Sequence, residues 1–450
     1  MIPVTQLDHV KPAAAAAPAF DDLIKTRQAR LAIIGLGYIG LPLAVAYAQA
    51  GFRVAGIDID EARLEAIVAQ RASISDVPSA DIAAVRAAGL FNVDSSYDAL
   101  ADADAIMICV PTPCTRNKQP DTSSIEAAAR GIARQLRPGQ LVILRSTSYP
   151  GTTEELVLPI LESSGLVVGR DVYLAFVPER VDPGRQDYTL HNTPMVVGGA
   201  DAESTRRAML LFEQLGPKVM AVSSPAAAEM AKLLENVFRN VNIALVNQLA
   251  MLCDRMGLDI WEIIEAAATK PYGFLPFVPG PGVGGHCIPV DPYYLAWKAR
   301  EYDYHMDFIE LAARVNEEMP YHVVTKTLLA LNGQRTRQPG VRVLVLGVTF
   351  KRDIDDYRGS PALKIMELLM HHGAKVSYHD PHVPKLPVDG RVFSSRPLTP
   401  AALRAADCVL IVSDHTAVDY AAVVRYAKLV VDTRNATRTV REGREKIVKL

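Results

Sequence analysis

Cysteine is sparse and unorganised in this chain: Cys109, Cys114, Cys253, Cys287 and Cys408 are odd in number, scattered, and never spaced as Cys-x-x-Cys. That argues against a disulfide framework and a thiolate zinc scaffold, and it points to a reduced, cytoplasmic setting. The opening "MIPVTQLDHVKPAAAAAPAF" lacks a basic start followed by a continuous apolar run, and no later segment is apolar for long enough to cross a bilayer. Neither a targeting role nor a membrane partner is expected. The formal net charge is only −2; without a global basic field, no nucleic-acid partner is expected either. "GPGVGG" is not followed by Gly-Lys-Ser/Thr, which removes an ATP-binding P-loop. His371, His372, His379 and His382 straddle a helix end, a strand and a proline turn instead of a scaffold with ligand spacing, so no metal is expected.

What is there is enough for several cores: 450 residues, 49% of them hydrophobic, suggest two or three domains. "ARLAIIGLGYIGLPLAVAYAQAGFRVAGIDID" reads as strand, glycine turn, Ala-rich helix and second strand ending at Asp58. "ADAIMICVPTP", "GQLVILRSTSYPG" and "DVYLAFVPER" continue the strands. A long helix follows, with Ser224 as N-cap, Pro225 at its first position and Gly257 beyond its end. A further helical stretch runs through "FIELAARVNEEMP", and "NGQRTRQPG" reads as a linker. A second α/β unit then uses "VRVLVLGVTF", "SPALKIMELLMHHG", "AKVSYHDP", "ADCVLIVSD" and "KLVVDTR". The fold class is therefore α/β, two Rossmann-type doubly wound parallel sheets joined by a long central helix, with no residue-level repetition between the halves.

Gly35, Gly37 and Gly40 form Gly-x-Gly-x-x-Gly between a strand and a helix, and Asp58 stands at the end of the next strand. This is the dinucleotide fingerprint, with Asp58 placed for an adenosine ribose and NAD favoured over NADP; a nearby Arg63 could accommodate a 2′-phosphate instead. "LGVTFKRDIDDYRGSP" carries Lys351, Arg352 and Arg358 at the mouth of a strand, equally consistent with a diphosphate site and with a solvated basic loop. Cys287 sits in "GPGVGGHCIPVDP", where glycines permit close approach and prolines stiffen the exit, as suits a nucleophilic thiol. His286 is adjacent, but neighbours in an extended chain point to opposite sides, which does not support a Cys/His dyad. Glu229, Lys232 and Asn236 share a face of the long helix, either as functional groups or as an exposed polar stripe. Glu179 in "FVPER" stands either at the sheet's carboxyl edge as a functional acid or on a surface loop paired with Arg180.

The ordered motifs "GLGYIGLPLA", "CVPTP", "STSYPGTT", "VPER", "EMAKLLENVFRNVNIALVNQ", "GVGGHCIPVDPYYL" and "FKRDIDDYRGSPA" resemble the nucleotide-sugar dehydrogenases, including UDP-glucose and GDP-mannose 6-dehydrogenases. The resemblance extends from about Arg30 to the C-terminus, and "AAATKPYGFLPFVPGPGVGGHCIPVDPYYL" looks most like the branch oxidising UDP-N-acetylglucosamine. Before it, residues 1–28 read as an N-terminal arm; the resemblance implies an NAD-binding Rossmann domain (29–218), a central helical dimerisation domain carrying the cysteine loop (219–332) and a UDP-binding domain (333–450). It also implies a homodimer or higher oligomer, a UDP-sugar substrate, and a four-electron oxidation of C6 from alcohol to carboxylate with two NAD in succession.

By the same resemblance Cys287 is the nucleophile that carries a thiohemiacetal and then a thioester. Lys232 and Asn236 surround the reacting oxygen, Asp291 orders a water or assists proton transfer, Glu179 is the hydrolytic general base, and Thr147 lies near the cofactor and water. Gly35, Gly37, Tyr38, Ile39, Gly40, Asp58, Arg63, Thr112, Thr147 and Arg358 match cofactor positions; Glu179, Arg180, Lys232, Asn236, Gly284 and Lys351 match substrate positions. Two residues depart from the family pattern: Arg145 stands where an acid is expected, and Gly359 where glutamate is common. UDP-N-acetylmannosamine and UDP-glucose 6-dehydrogenases are alternatives with the same machinery. The β-hydroxyacid dehydrogenases share a Rossmann domain, long helix and lysine but need no thiol, and a non-catalytic NAD-binding scaffold would lack sugar-dependent turnover.

Overall fold

The computed structural model describes residues 19–71, 74, 77–115, 117–181, 187–285, 287–333 and 340–450. The start of the expected arm, His286 and most of the expected linker lie outside the described residues.

The N-terminal sheet contains β1 (Arg30–Ile34), β2 (Arg53–Ile57), β3 (Phe91–Asp94), β4 (Ala105–Ile108), β5 (Leu141–Leu144), β6 (Tyr173–Phe176), β7 (Met195–Gly199) and β8 (Val219–Ala221). Their order is β3-β2-β1-β4-β5-β6-β7-β8. All neighbours are parallel except β6 and β7, an antiparallel turn that the sequence reading does not contain. β4, β5 and β7 are buried along their whole length, because helices cover both faces and leave no solvent side to favour alternation. The strand order reverses between β1 and β4, which opens a crevice at their carboxyl ends.

The C-terminal sheet is built from β9 (Arg342–Leu346), β10 (Lys375–His379), β13 (Cys408–Ile411), β14 (Val430–Asp432) and β15 (Ile447–Lys449), while β11 (Lys385–Val388) and β12 (Arg391–Ser394) form a separate hairpin. The five strands run parallel in the order β10-β9-β13-β14-β15. Here the two halves do repeat, in hydrogen bonds. Leu36 N–H donates to Asp58 Oδ2 at 2.7 Å, and Val348 N–H to Asp380 Oδ2 at 2.7 Å. Arg30 N–H donates to Asp104, and Arg342 N–H to Asp407, both at 2.9 Å. Each half thus locks its first turn to a carboxylate at the end of its second strand.

Between them the long helix runs from Pro225 to Met256, 32 residues. Ser224 Oγ accepts from Ala227 N–H, and Gly257 closes the end at φ 71°, a left-handed conformation cheap only for glycine. A short helix (Asp291–Ala299) leads from the cysteine loop to a return helix (Asp307–Gly333) that passes through Pro320 and extends well beyond it. Packing against the long helix and the C-terminal core outweighs the local cost of the proline. Phe20–Lys25 is helical and lies on the helix Ala202–Glu213, with Ile24 buried and Asp21 paired to Arg206 at 2.8 Å.

Candidate active site

Three pieces of chain meet around the crevice: the first glycine turn, the polar face of the long helix, and the cysteine loop. Gly35 has φ +90°, and a Cβ there would stand 2.5 Å from the Cys109 carbonyl oxygen. A Cβ on Gly40 would stand 1.8 Å from the Gly35 carbonyl oxygen, whereas Gly37 faces open space. The turn is therefore packed shut beneath and open above, the cradle a pyrophosphate needs at a helix N-terminus. Tyr38 and Ile39 complete the turn before the helix beginning at Gly40.

Asp58 is buried at the end of β2 and accepts from Leu36 N–H, Asp60 N–H and Arg63 Nη1, the last at 2.8 Å. Arg63 is also paired with Asp60 at 3.2 Å. Two carboxylates thus balance its charge, which weakens any claim it has on a 2′-phosphate. These residues fit NAD.

The other expected cofactor positions are drawn to the same edge. Thr112 Oγ1 donates to the Thr147 carbonyl at 2.7 Å, while Tyr294, on the cysteine-loop helix, donates its hydroxyl to the Thr112 carbonyl. Arg358 reaches across from the C-terminal domain, its guanidinium 5.3 Å from the Tyr38 ring centroid and its Nε on Asp356 at 2.9 Å.

The polar residues of the long helix are not an exposed stripe. Glu229, Lys232, Asn236, Asn240 and Asn247 are all buried. Glu229 accepts from Gly151 N–H at 2.6 Å, Thr153 N–H at 2.9 Å and Thr153 Oγ1 at 2.6 Å, fastening the segment after β5; burial pushes its carboxyl up to about 7. Asn236 Nδ2 donates to Asp291 Oδ2 and its Oδ1 accepts from Arg239. Burial pushes Asp291 up to about 6, against the opposing pull of Lys232, Asn236 and Arg239. Lys232 makes no hydrogen bond or ion pair with the described residues, and its charge acts on Asp291.

Cys287 is exposed. Its carbonyl accepts from Val290 N–H at 3.1 Å and Asp291 N–H at 2.8 Å, so the residue stands one turn before the N-terminus of the cysteine-loop helix. The loop is pinned at both ends. Gly280 N–H donates to Asn247 Oδ1 at 2.9 Å, and the Ile288 carbonyl accepts from Asn240 Nδ2 at 3.1 Å. The glycines bring it close to protein: a Cβ on Gly284 would stand 2.7 Å from Phe350 and 2.8 Å from the Gly359 carbonyl oxygen. Gly359, at φ +66°, thereby receives the loop on the C-terminal side.

Glu179 is not a surface acid paired with Arg180. Arg145 Nη2 donates to its Oε2 at 2.5 Å, and Oε1 accepts from Arg180 N–H at 2.8 Å and Val181 N–H at 2.7 Å. The Arg180 side chain turns away to Glu235, at 2.9 Å from Nε, and to the Pro194 carbonyl. Lys351 lies at the end of the C-terminal domain's first turn, its carbonyl accepting from Thr349 Oγ1 at 2.7 Å; Arg352 is paired with Asp414.

Sequence reasoning missed Arg434, which is half-buried, with Nε 3.9 Å from Asp414 Oδ1 and Nη1 placed 2.5 Å from where a Gly280 Cβ would be. It also missed Asn240, Asn247 and Asn316, although the first two fall on the Lys232 and Asn236 face in "ENVFRNVNIALVNQ". Asp353, His382 and His415 bring possible ligand atoms within 4.8 Å of one another. His415 already uses both ring nitrogens, accepting from Asp353 N–H at 3.0 Å and meeting Asp380 at 3.0 Å. The trio braces the loop.

Three domain profiles of one family match in order: UDP-glucose/GDP-mannose dehydrogenase family, NAD binding domain at residues 29–216, central domain at 226–318 and UDP binding domain at 344–439. The chain is 36% identical over 356 residues to a UDP-N-acetyl-D-glucosamine 6-dehydrogenase of Pseudomonas aeruginosa, covering 79% of this chain and 83% of that one. It is 36% identical over 421 residues to an NDP-N-acetyl-D-galactosaminuronic acid dehydrogenase of Ralstonia nicotianae, covering 90% and 95%. A solved structure of a UDP-D-ManNAc dehydrogenase from Pyrococcus horikoshii superposes with TM-score 0.84 at 33% identity, covering 93% of this chain and 98% of that one.

Proposed function

The chain belongs to the UDP-glucose/GDP-mannose dehydrogenase family, as an NAD-dependent UDP-sugar dehydrogenase, and we propose that it oxidises UDP-N-acetylglucosamine at C6 to UDP-N-acetylglucosaminuronic acid for surface-polysaccharide synthesis. What supports the chemistry is one arrangement: an exposed Cys287 at a helix start, with a buried Lys232 acting on Asp291 four residues later. What supports the sugar is the cysteine-loop sequence and the Pseudomonas aeruginosa relative. UDP-N-acetylmannosamine is the second reading, favoured by the Pyrococcus horikoshii structure.

The Gly35–Gly40 turn, Asp58, Thr112, Thr147 and Arg358 would hold NAD, which would supply the hydride acceptor. The protein's own side chains do the rest. Lys232 and Asn236 hold the C6 oxygen, the ammonium stabilising negative charge as it develops. The Cys287 thiolate adds to the aldehyde carbon and forms a thiohemiacetal, whose oxidation leaves a thioester; water then replaces sulfur beside Glu179. Arg180, Gly284, Lys351 and Arg434 flank the substrate from both domains.

The outer face of the long helix exposes Met230, Leu234, Phe238, Leu245, Leu249 and Leu252, with Leu234 63% exposed. Their spacing makes one continuous apolar stripe, and the occupant is a second copy of the chain, giving a homodimer. Sedimentation of Leu234→Glu/Leu245→Glu should give monomer where the unmodified chain gives dimer.

Comparing kcat/KM for UDP-N-acetylglucosamine, UDP-N-acetylmannosamine and UDP-glucose tests the assignment. A preference of roughly tenfold or more for the first is expected, within the discrimination a single pocket achieves. A preference for either of the others overturns it.

A further inference from the structure

Arg145 follows β5 directly and is the largest wholly enclosed side chain among the described residues. Its guanidinium lies 5.0 Å from the Phe212 ring centroid; among the described residues its single hydrogen bond goes to Glu179, and Nε and Nη1 have no partner. The titratable groups around it are Tyr47, Cys109 and Glu179. Burial raises Tyr47 and pushes Cys109 up to about 12, so both are neutral near pH 7. Among the described residues, Glu179 is left as the one counter-charge.

An enclosed guanidinium with a single polar partner is an expensive way to fill space beside a phenylalanine, since an apolar side chain would do so without desolvating a charge. Its physical consequence falls on Glu179. Three donors, two backbone and one from Arg145, fix both oxygens of that carboxylate and leave it an oriented acceptor.

We infer that Arg145 is the positioning residue of the hydrolytic step, holding Glu179 so that it accepts a hydrogen bond from the attacking water and aims the water's lone pair at the thioester carbon. The inference rests on the proposed acyl transfer through Cys287. In the step itself the water oxygen bonds to the C6 carbonyl carbon and the carbon–sulfur bond breaks. One water proton ends on the departing thiolate and the other in solvent as the product acid ionises. No oxidation or reduction is involved.

The test compares the full chain with Arg145→Met, Arg145→Lys, Glu179→Gln and Arg145→Met/Glu179→Gln, using UDP-N-acetylglucosamine and NAD and reading NADH and the intact mass of the protein. Arg145→Met should keep a burst of two NADH per site, lose at least tenfold in steady-state rate, and accumulate an acyl adduct on Cys287. Arg145→Lys should recover most of the rate. The double variant, which removes both charges and guards against misfolding of the single one, should be no slower than Glu179→Gln.

Wild-type steady-state rate in Arg145→Met overturns the inference. So does equal loss of burst and steady state without adduct in both Arg145→Met and the double variant, because that is a structural role. Failure of the functional reading looks different: the unmodified chain would then give no second NADH.

Discussion

Asn316 donates to Asn240 Oδ1 at 2.6 Å and accepts from Asn247 Nδ2 at 2.9 Å, so one side chain on the return helix braces both residues that pin the cysteine loop. Its own carbonyl lacks a helical donor because Pro320 has no N–H, and a Gly282 Cβ would stand 3.3 Å from that oxygen. The seat of the Cys287 loop is thus a helix irregularity plus three asparagines.

Asn316→Ala should leave Asn240 Oδ1 and Asn247 Nδ2 buried without partners. Two such losses destabilise by about 3 kcal/mol, and displacement of Cys287 should lower kcat roughly 100-fold. Thermal unfolding and steady-state kinetics on one preparation check both. An unchanged kcat would mean the loop holds its shape without the network.

Asp291 has its proton affinity raised to about 6 by burial. As pH falls through 6 it is protonated and its negative charge opposite Lys232 disappears, so kcat/KM should fall on the acid side of about 6. Asp291→Asn should be slower by roughly 100-fold and should lack that acid limb. A limb that persists in the variant belongs to another group.

Glu229 gives a stability effect of defined sign. Its folded value of about 7 exceeds the ordinary 4.5, so the native state binds the extra proton between those values and loses stability as pH rises through the window. The slope is about 1.4 kcal/mol per pH unit. Glu229→Gln should start less stable and decline less from pH 5 to pH 8, as read by denaturant unfolding; parallel pH curves would contradict the assignment.

Much of this architecture was legible because local chemistry and tertiary packing agree. Ser224, Pro225 and Gly257 mark both ends of the long helix in the sequence, and the structure places the helix between them. The glycine turn and Asp58 were legible for the same reason, since the backbone permits few alternatives there. The cysteine and its helix partners were carried by motif resemblance.

Other features depend on partners distant in sequence. Burial of Glu229, Lys232 and Asn236 comes from loops dozens of residues away, and helical spacing alone could not separate it from a solvated stripe. Arg434 meets the cysteine loop only when two domains are assembled, and the antiparallel β7 is decided by sheet closure.

The most direct test of the central claim is the number of NADH formed per UDP-N-acetylglucosamine consumed at limiting sugar, for the unmodified chain and Cys287→Ala. Two are expected for the unmodified chain, with no sustained formation of a second NADH by the variant. A ratio of one, or two with Cys287 absent, would contradict it.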